Sequence, residues 1–124
     1  MKLYVLDELY AVVRCDPDAG LPGWATGGHF WSVTRSDAEL SIVCRQDDVP
    51  ADASAERGWC ALEVAGPLDF SLIGVAAALV DPLADAEVPV FVISTFETDY
   101  VLVRELDLPR SVEALTAAGH EVDS

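Results

Sequence analysis

The chain has 124 residues, 52% of them hydrophobic and 23% charged, and 22 acidic against 7 basic side chains give it a net charge of −15. That length allows one domain, or two very small units fused into one core, and the composition is that of a folded chain. The charge excludes a phosphate-rich partner, because nothing here could neutralise a nucleic-acid backbone; it favours solubility and draws cations, ammonium groups included.

The N-terminus starts Met1-Lys2-Leu3, but Asp7 and Glu8 interrupt the apolar run before a signal core could form. The longest apolar run, 72–80, is too short to span a bilayer. The expectation is a cytoplasmic protein without membrane contact. Cys15, Cys44 and Cys60 are far apart, odd in number and set in strand-like surroundings, which predicts reduced, buried thiols. No pair has metal-motif spacing, so neither a metal site nor a cofactor is expected.

In chain order, residues 9–15 carry the β-branched and aromatic content of a strand, and 16–23 are turn material rich in Asp, Pro and Gly. Trp24 and Ala25 allow at most one helical turn. Residues 30–35 and 40–45 predict two strands around a polar hairpin tip at Ser36-Asp37-Ala38-Glu39. The polar, alanine-rich stretch 46–58 reads as a surface connection or a short helix. A strand over 59–65 is stopped by Gly66-Pro67.

Ser71 is then a suitable helix cap, with Asp69 as a second capping candidate, and Leu72, Val75, Ala76, Leu79, Val80 and Leu83 follow at helical spacing. Pro82 is expected to bend this helix or restart it at Asp81. A nearly all-apolar strand over 90–94 and a return over 100–104 flank Ser94-Thr95-Phe96-Glu97-Thr98-Asp99. Asp107 is the expected cap of a last helix with Pro109 in its first turn, Val112 and Leu115 facing inward and Gly119 at its end; 120–122 make a final short strand.

From Trp59 onward the order is strand, helix, strand, strand, helix, strand. That is the ferredoxin-like α+β pattern, an antiparallel sheet with two helices on one face. The first half echoes the second at a shift of about sixty positions. Trp31 meets Phe91, Val33 meets Ile93, Asp37 meets Glu97, Leu40 meets Tyr100, and Val43 meets Val103. Generic hairpin patterning is one account of this agreement; Leu9–Cys15 as the counterpart of Trp59–Ala65 strengthens the case for the other, an old duplication. With the duplication, the chain divides into a degenerate unit over 1–57, its helices shortened to loops, and a complete βαββαβ unit over 58–124.

The residues of 66–75, the helix through Pro82-Leu83-Ala84, and the run 94–103 resemble ACT domains, and most closely the small bacterial relatives of the CASTOR arginine sensors. The run 31–43 extends the likeness into the first half. The resemblance implies two tandem ACT-like units, assembly as a homodimer, and an amino-acid effector held between units. It also implies which positions meet the ligand: Leu72, Gly74 and Val75 at the helix start, then Thr95, Phe96 and Asp99 at the strand end. In the arginine sensors an acidic residue faces the ligand's cationic side chain at the position that is Leu72 here. A guanidinium against leucine would lose a charge-assisted partner, so the resemblance implies a neutral amino acid rather than arginine.

The residues themselves fit that chemistry. No Lys, Arg or His occurs between Gly58 and Val103. A ligand carboxylate would therefore dock on backbone N–H groups at a helix start. Gly74 either admits close backbone approach or allows tight helix packing. Asp99 either pairs with an α-ammonium or turns the hairpin, and Thr95 and Phe96 either cover a ligand or pack the strand end. An enzyme is not expected, and no catalytic residue is assigned. Only His29 and His120 could serve as imidazole bases, and no nucleophile elbow, phosphate loop or dinucleotide fingerprint is present. The function expected is an amino-acid-binding regulator acting on an oligomer equilibrium or on an unidentified protein target. The alternative is a ligand-free interaction module whose apolar strand edge pairs with a partner's sheet.

Overall fold

The computed structural model describes residues 1–68 and 73–123. The chain forms two compact units, one made of Glu8–Trp59 and the other of Met1–Asp7 together with Cys60–Ser124.

In the Glu8–Trp59 unit, strand β1 (Lys2–Cys15) pairs antiparallel with β3 (Leu40–Arg45), from Tyr10 opposite Arg45 to Cys15 opposite Leu40. β3 pairs in turn with β2 (Ser32–Arg35), Arg35 opposite Leu40. The tip between them closes through the Ser36 N–H on the Glu39 carbonyl at 2.9 Å. The Ala38 and Glu39 N–H groups also donate to Ser36 Oγ. Alternation along the strands sends Ala11, Val13, Leu40, Ile42 and Cys44 into one apolar cluster with Ala25 and Val49. Ala25 reaches it from a single 3-10 turn, Gly23–Thr26, the one turn that Trp24 and Ala25 were expected to allow. Tyr10 and Phe30 meet edge to face with centroids 5.6 Å apart.

In the second unit the element order is β4 (Ala55–Val64), α1 (Val75–Asp85), β5 (Val90–Ser94), β6 (Asp99–Arg104), α2 (Leu108–Ala117) and β7 (Glu121–Asp123). The βαββαβ order is therefore present. β5 and β6 form an antiparallel hairpin from Val90 opposite Val103 to Ser94 opposite Asp99. α1 and α2 pack against each other, and α2 packs against β6. Leu3, Leu62, Leu79, Leu83, Leu102 and Leu115 are almost wholly buried here.

Several local expectations are corrected. β1 starts at Lys2 rather than at residue 9. Asp7 and Glu8, poor strand formers, do not end it, and they lie where the strand passes from one unit to the other. Its first residues run parallel to β7, with Leu3 opposite Val122. The sheet of this unit thus reads β7-β1-β4-β6-β5, with an added strand between the first and last strands of the βαββαβ set. β4 begins at Ala55, so the connection before it is shorter than expected.

The first helix starts at Val75 with Gly74 at its N-cap (φ +78°), not at Ser71. Asp69 and Ser71 lie outside the described residues. Pro82 sits inside one continuous helix and neither bends it into two pieces nor restarts it. Asp107 makes no side-chain cap; its carboxylate instead accepts from Arg110 at 3.0 Å. Ser111, not Val112, is the fully buried partner of Leu115, and its hydroxyl donates to the Asp107 carbonyl at 2.8 Å.

All three cysteines are free thiols; Cys44 and Cys60 are buried, whereas Cys15 is only half-buried. Burial pushes the Cys44 thiol up to about 11 from 9.0, with the nearby Asp48 adding in the same direction, and burial raises Cys60 as well. The sign follows from proton counts. Above pH 9 an unfolded thiol ionises while the folded Cys44 keeps its proton, so stability is present below that pH and falls as pH rises towards 11. The expected loss from this one group is about 1 kcal/mol per pH unit in that window. Urea melts at pH 8.5 and pH 10 should show it, and Cys44→Ala should flatten that part of the slope.

Candidate functional site

The candidate site is built from two pieces of the second unit, the approach to α1 and the tip of the β5–β6 hairpin. Thr95 closes the tip: its N–H donates to the Thr98 carbonyl at 2.8 Å, and its hydroxyl accepts from the Thr98 N–H at 3.2 Å. The approach segment is fastened to that tip. The Leu68 N–H donates to the Glu97 carbonyl at 2.7 Å, and Thr98 Oγ1 donates to the Val64 carbonyl at 2.6 Å. Gly66 lies so close that an added Cβ would meet Glu97 O at 3.1 Å and Thr98 Cβ at 3.4 Å. A side chain at 66 would push the two pieces apart.

The expected residues are placed as follows. Gly74 adopts the left-handed conformation, with nothing within 4 Å of a Cβ there, so its presence answers to backbone conformation and not to tight packing. Its carbonyl takes the first helical hydrogen bond, from the Ala78 N–H at 2.9 Å. Val75 is the first residue of α1, whose first turn carries no acidic residue and whose start has no side-chain cap. Thr95 and Phe96 are exposed on the hairpin, Phe96 at 81%, and Asp99 is half-buried at the first position of β6, opposite Ser94. Leu72 lies outside the described residues. The hairpin thus brings Thr95, Phe96 and Asp99 together, while Gly74 and Val75 open the helix.

Thr98 was not among the expected residues. Its hydroxyl, spent on the Val64 carbonyl, ties the hairpin tip to the end of β4. A threonine preceding a strand carries no sequence signal for such a partner 34 positions away. Ile73, beside Gly74, is 98% exposed, so apolar side chains flank the helix start as well as the hairpin.

Among the described residues no group of three or more His, Cys, Asp or Glu side chains is arranged to hold a metal ion, and no helix is long and apolar enough to cross a membrane.

This geometry has relatives. Residues 54–117 match the family model of the ACT domain, and residues 8–52 match a model of an N-terminal domain. Human CASTOR3P is 31% identical over 86% of this chain and 76% of its own length. The bovine cytosolic arginine sensor for mTORC1 subunit 1 is 35% identical over 69% of this chain, which spans 30% of that sensor's length. The crystal structure of an Agobacterium tumefaciens protein is 39% identical, covers 98% of this chain and 90% of its own, and superposes with a TM-score of 0.93. The ligand-free regulatory subunit of aspartate kinase from Thermus thermophilus is 11% identical and shares the fold, with a TM-score of 0.61 over 90% of this chain and 93% of its own. The matched model covers β4 through α2, and on that evidence the chain belongs to the ACT domain family and is related to CASTOR.

Proposed function

We propose that this chain is an amino-acid-binding regulatory protein, not an enzyme, and that it holds its ligand against the start of α1 beside the β5–β6 hairpin. The observation that carries the reading is the helix start. Gly74 turns the chain into α1 with no side-chain cap and no acidic residue in the first turn, so backbone donors are left to meet a carboxylate. Asp99, half-buried on the hairpin, supplies the acidic group for an α-ammonium. Two comparisons support the general class, the arginine sensors by sequence and the aspartate kinase regulatory subunit by fold.

The ligand we propose is a neutral amino acid, because residue 72 is leucine at the position where the resemblance to the arginine sensors implies an acidic residue. The tandem arrangement, a degenerate ACT-like unit over 1–57 and a complete one over 58–124, and assembly as a homodimer belong to the same proposal. Ligand binding would act through differential affinity for two subunit packings, or for two states of a protein target.

Calorimetry of the full chain against the twenty amino acids tests this. At least one neutral amino acid should bind, and Asp99→Ala should weaken it at least tenfold with an unchanged circular dichroism spectrum. If no amino acid binds the wild type, the chain is a ligand-free interaction module, and thermal shift with the same panel will be flat.

A further inference from the structure

The start of β1 and the entry to β7 bring two nitrogen bases together, wholly within the unit of Met1–Asp7 and Cys60–Ser124. β7 runs parallel to the first residues of β1, Lys2 opposite Glu121, and the Glu121 N–H donates to the Met1 carbonyl at 2.9 Å. That ladder holds Met1 beside His120. The α-amino nitrogen of Met1 lies 3.0 Å from His120 Nδ1, a contact at the surface and open to an entering ion. His120 follows the end of α2, and its own backbone N–H donates to the Leu115 carbonyl at 3.0 Å.

The far side of the ring decides what Nδ1 can do. Nε2 lies 2.9 Å from the Ala78 carbonyl oxygen of α1, which can only accept, so the imidazole proton is on Nε2. The lone pair of Nδ1 therefore faces the amine. An imidazole whose second nitrogen donates to a backbone carbonyl is the arrangement that orients a metal-ligating histidine and raises its basicity. The spacing fits as well. Two nitrogens bound to one metal ion at about 2.0 Å stand about 2.8 Å apart as neighbours in a square plane and about 3.3 Å apart in a tetrahedron. The observed 3.0 Å lies between the two. Lys2 and Glu121, next in sequence to the two bases, offset each other's charge: Lys2 Nζ is 3.9 Å from Glu121 Oε1 and rests over the Tyr4 ring.

We propose that the Met1 amine and the His120 imidazole form a site for a divalent late transition-metal ion, copper(II) above the others. Nitrogen donors select this class and copper(II) leads its affinity order, whereas calcium and magnesium take oxygen ligands. The α-ammonium loses one proton to solvent, its lone pair and that of Nδ1 bind the metal, and water completes the coordination. One donor is the main-chain amine, so the site needs no cluster of three ligating side chains. The net charge of −15 favours the approach of a cation. The bound ion joins the start of β1 to the turn before β7 and, through Nε2, to α1. The site needs neither the helix-start site nor an amino-acid ligand.

The test titrates copper(II) chloride into the full chain and reads the visible ligand-field absorption and the electron paramagnetic resonance spectrum. One equivalent should bind, with splitting from coordinated nitrogen, and an excess of magnesium chloride should not displace it. His120→Ala and acetylation of the Met1 amine should each weaken binding at least tenfold. Acetylation leaves every side chain in place, so it keeps the test decisive if His120→Ala does not fold. His29→Ala and Cys15→Ser should leave the affinity unchanged, since both residues belong to the other unit. No binding, binding that survives acetylation, or binding lost in His29→Ala or Cys15→Ser overturns the proposal, as does bound copper without nitrogen splitting. Failure of every amino acid to bind at the helix start leaves this site standing.

Discussion

Gly28→Ala lowers the stability of the chain by about 2–3 kcal/mol, while Gly58→Ala lowers it by only about 1 kcal/mol. Both glycines have the same left-handed backbone, φ +81° and +82°. A Cβ there carries a similar conformational cost at either position. The surroundings differ. At Gly58 nothing lies within 4 Å of the added atom, whereas at Gly28 it would meet Arg45 Cδ at 2.7 Å and Nε at 3.0 Å. An arginine side chain usually moves aside cheaply, but Arg45 is held by the two contacts to Asp48 and by Glu8 at 3.5 Å. Asp48 in turn raises the Arg45 guanidinium further above its ordinary value through hydrogen bonding and charge. Gly27 next door leaves no retreat, because its own Cβ position is 2.9 Å from Asp48 Oδ2. Alanine at 28 must therefore dislodge a paired charge. Urea melts of both variants with unchanged m-values will measure the difference, and equal losses would remove the packing argument.

The parts of the fold that were legible in the sequence were those written by periodicity. The β5–β6 hairpin, β3 and the apolar stripe of α1 each repeat at their own spacing over enough residues to be read without tertiary help. What escaped was decided by partners distant in the chain. β1 continues through residues 2–8 because Lys2, Leu3 and Tyr4 pair with β7, at the far end of the sequence. The true helix start escaped because Gly74 needs a positive φ that no local pattern announces, and a serine three residues earlier looked like the better cap. Of the candidate site, the hairpin members Thr95, Phe96 and Asp99 were legible as neighbours because a tight turn fixes them. The fastening of residues 64–68 to that turn was not, since it runs through backbone groups and the hydroxyl of Thr98.

Pro82→Ala raises stability by about 2 kcal/mol, and it changes what His120 is worth. Proline at the eighth position of α1 has no N–H for the Ala78 carbonyl, four residues back. The helix nevertheless runs unbroken to Asp85. His120 fills the gap: its Nε2 lies 2.9 Å from the Ala78 oxygen. A carbonyl can only accept, so the proton sits on Nε2. His120 is held there by the chain around it: its backbone N–H donates to the Leu115 carbonyl near the end of α2, the Glu121 N–H donates to the Met1 carbonyl, and the N-terminal ammonium lies 3.0 Å from Nδ1. In the native chain His120→Ala therefore costs about 2 kcal/mol, the net worth of two hydrogen bonds, one to the Ala78 carbonyl and one from the N-terminal ammonium. In the Pro82→Ala background the alanine N–H reaches the same carbonyl, and His120→Ala should cost about half as much, the contact of Nδ1 to the N-terminus being what remains. A double-mutant cycle on urea midpoints isolates this coupling. Strict additivity would mean that the imidazole serves β7 alone and that the helix carries Pro82 without its help.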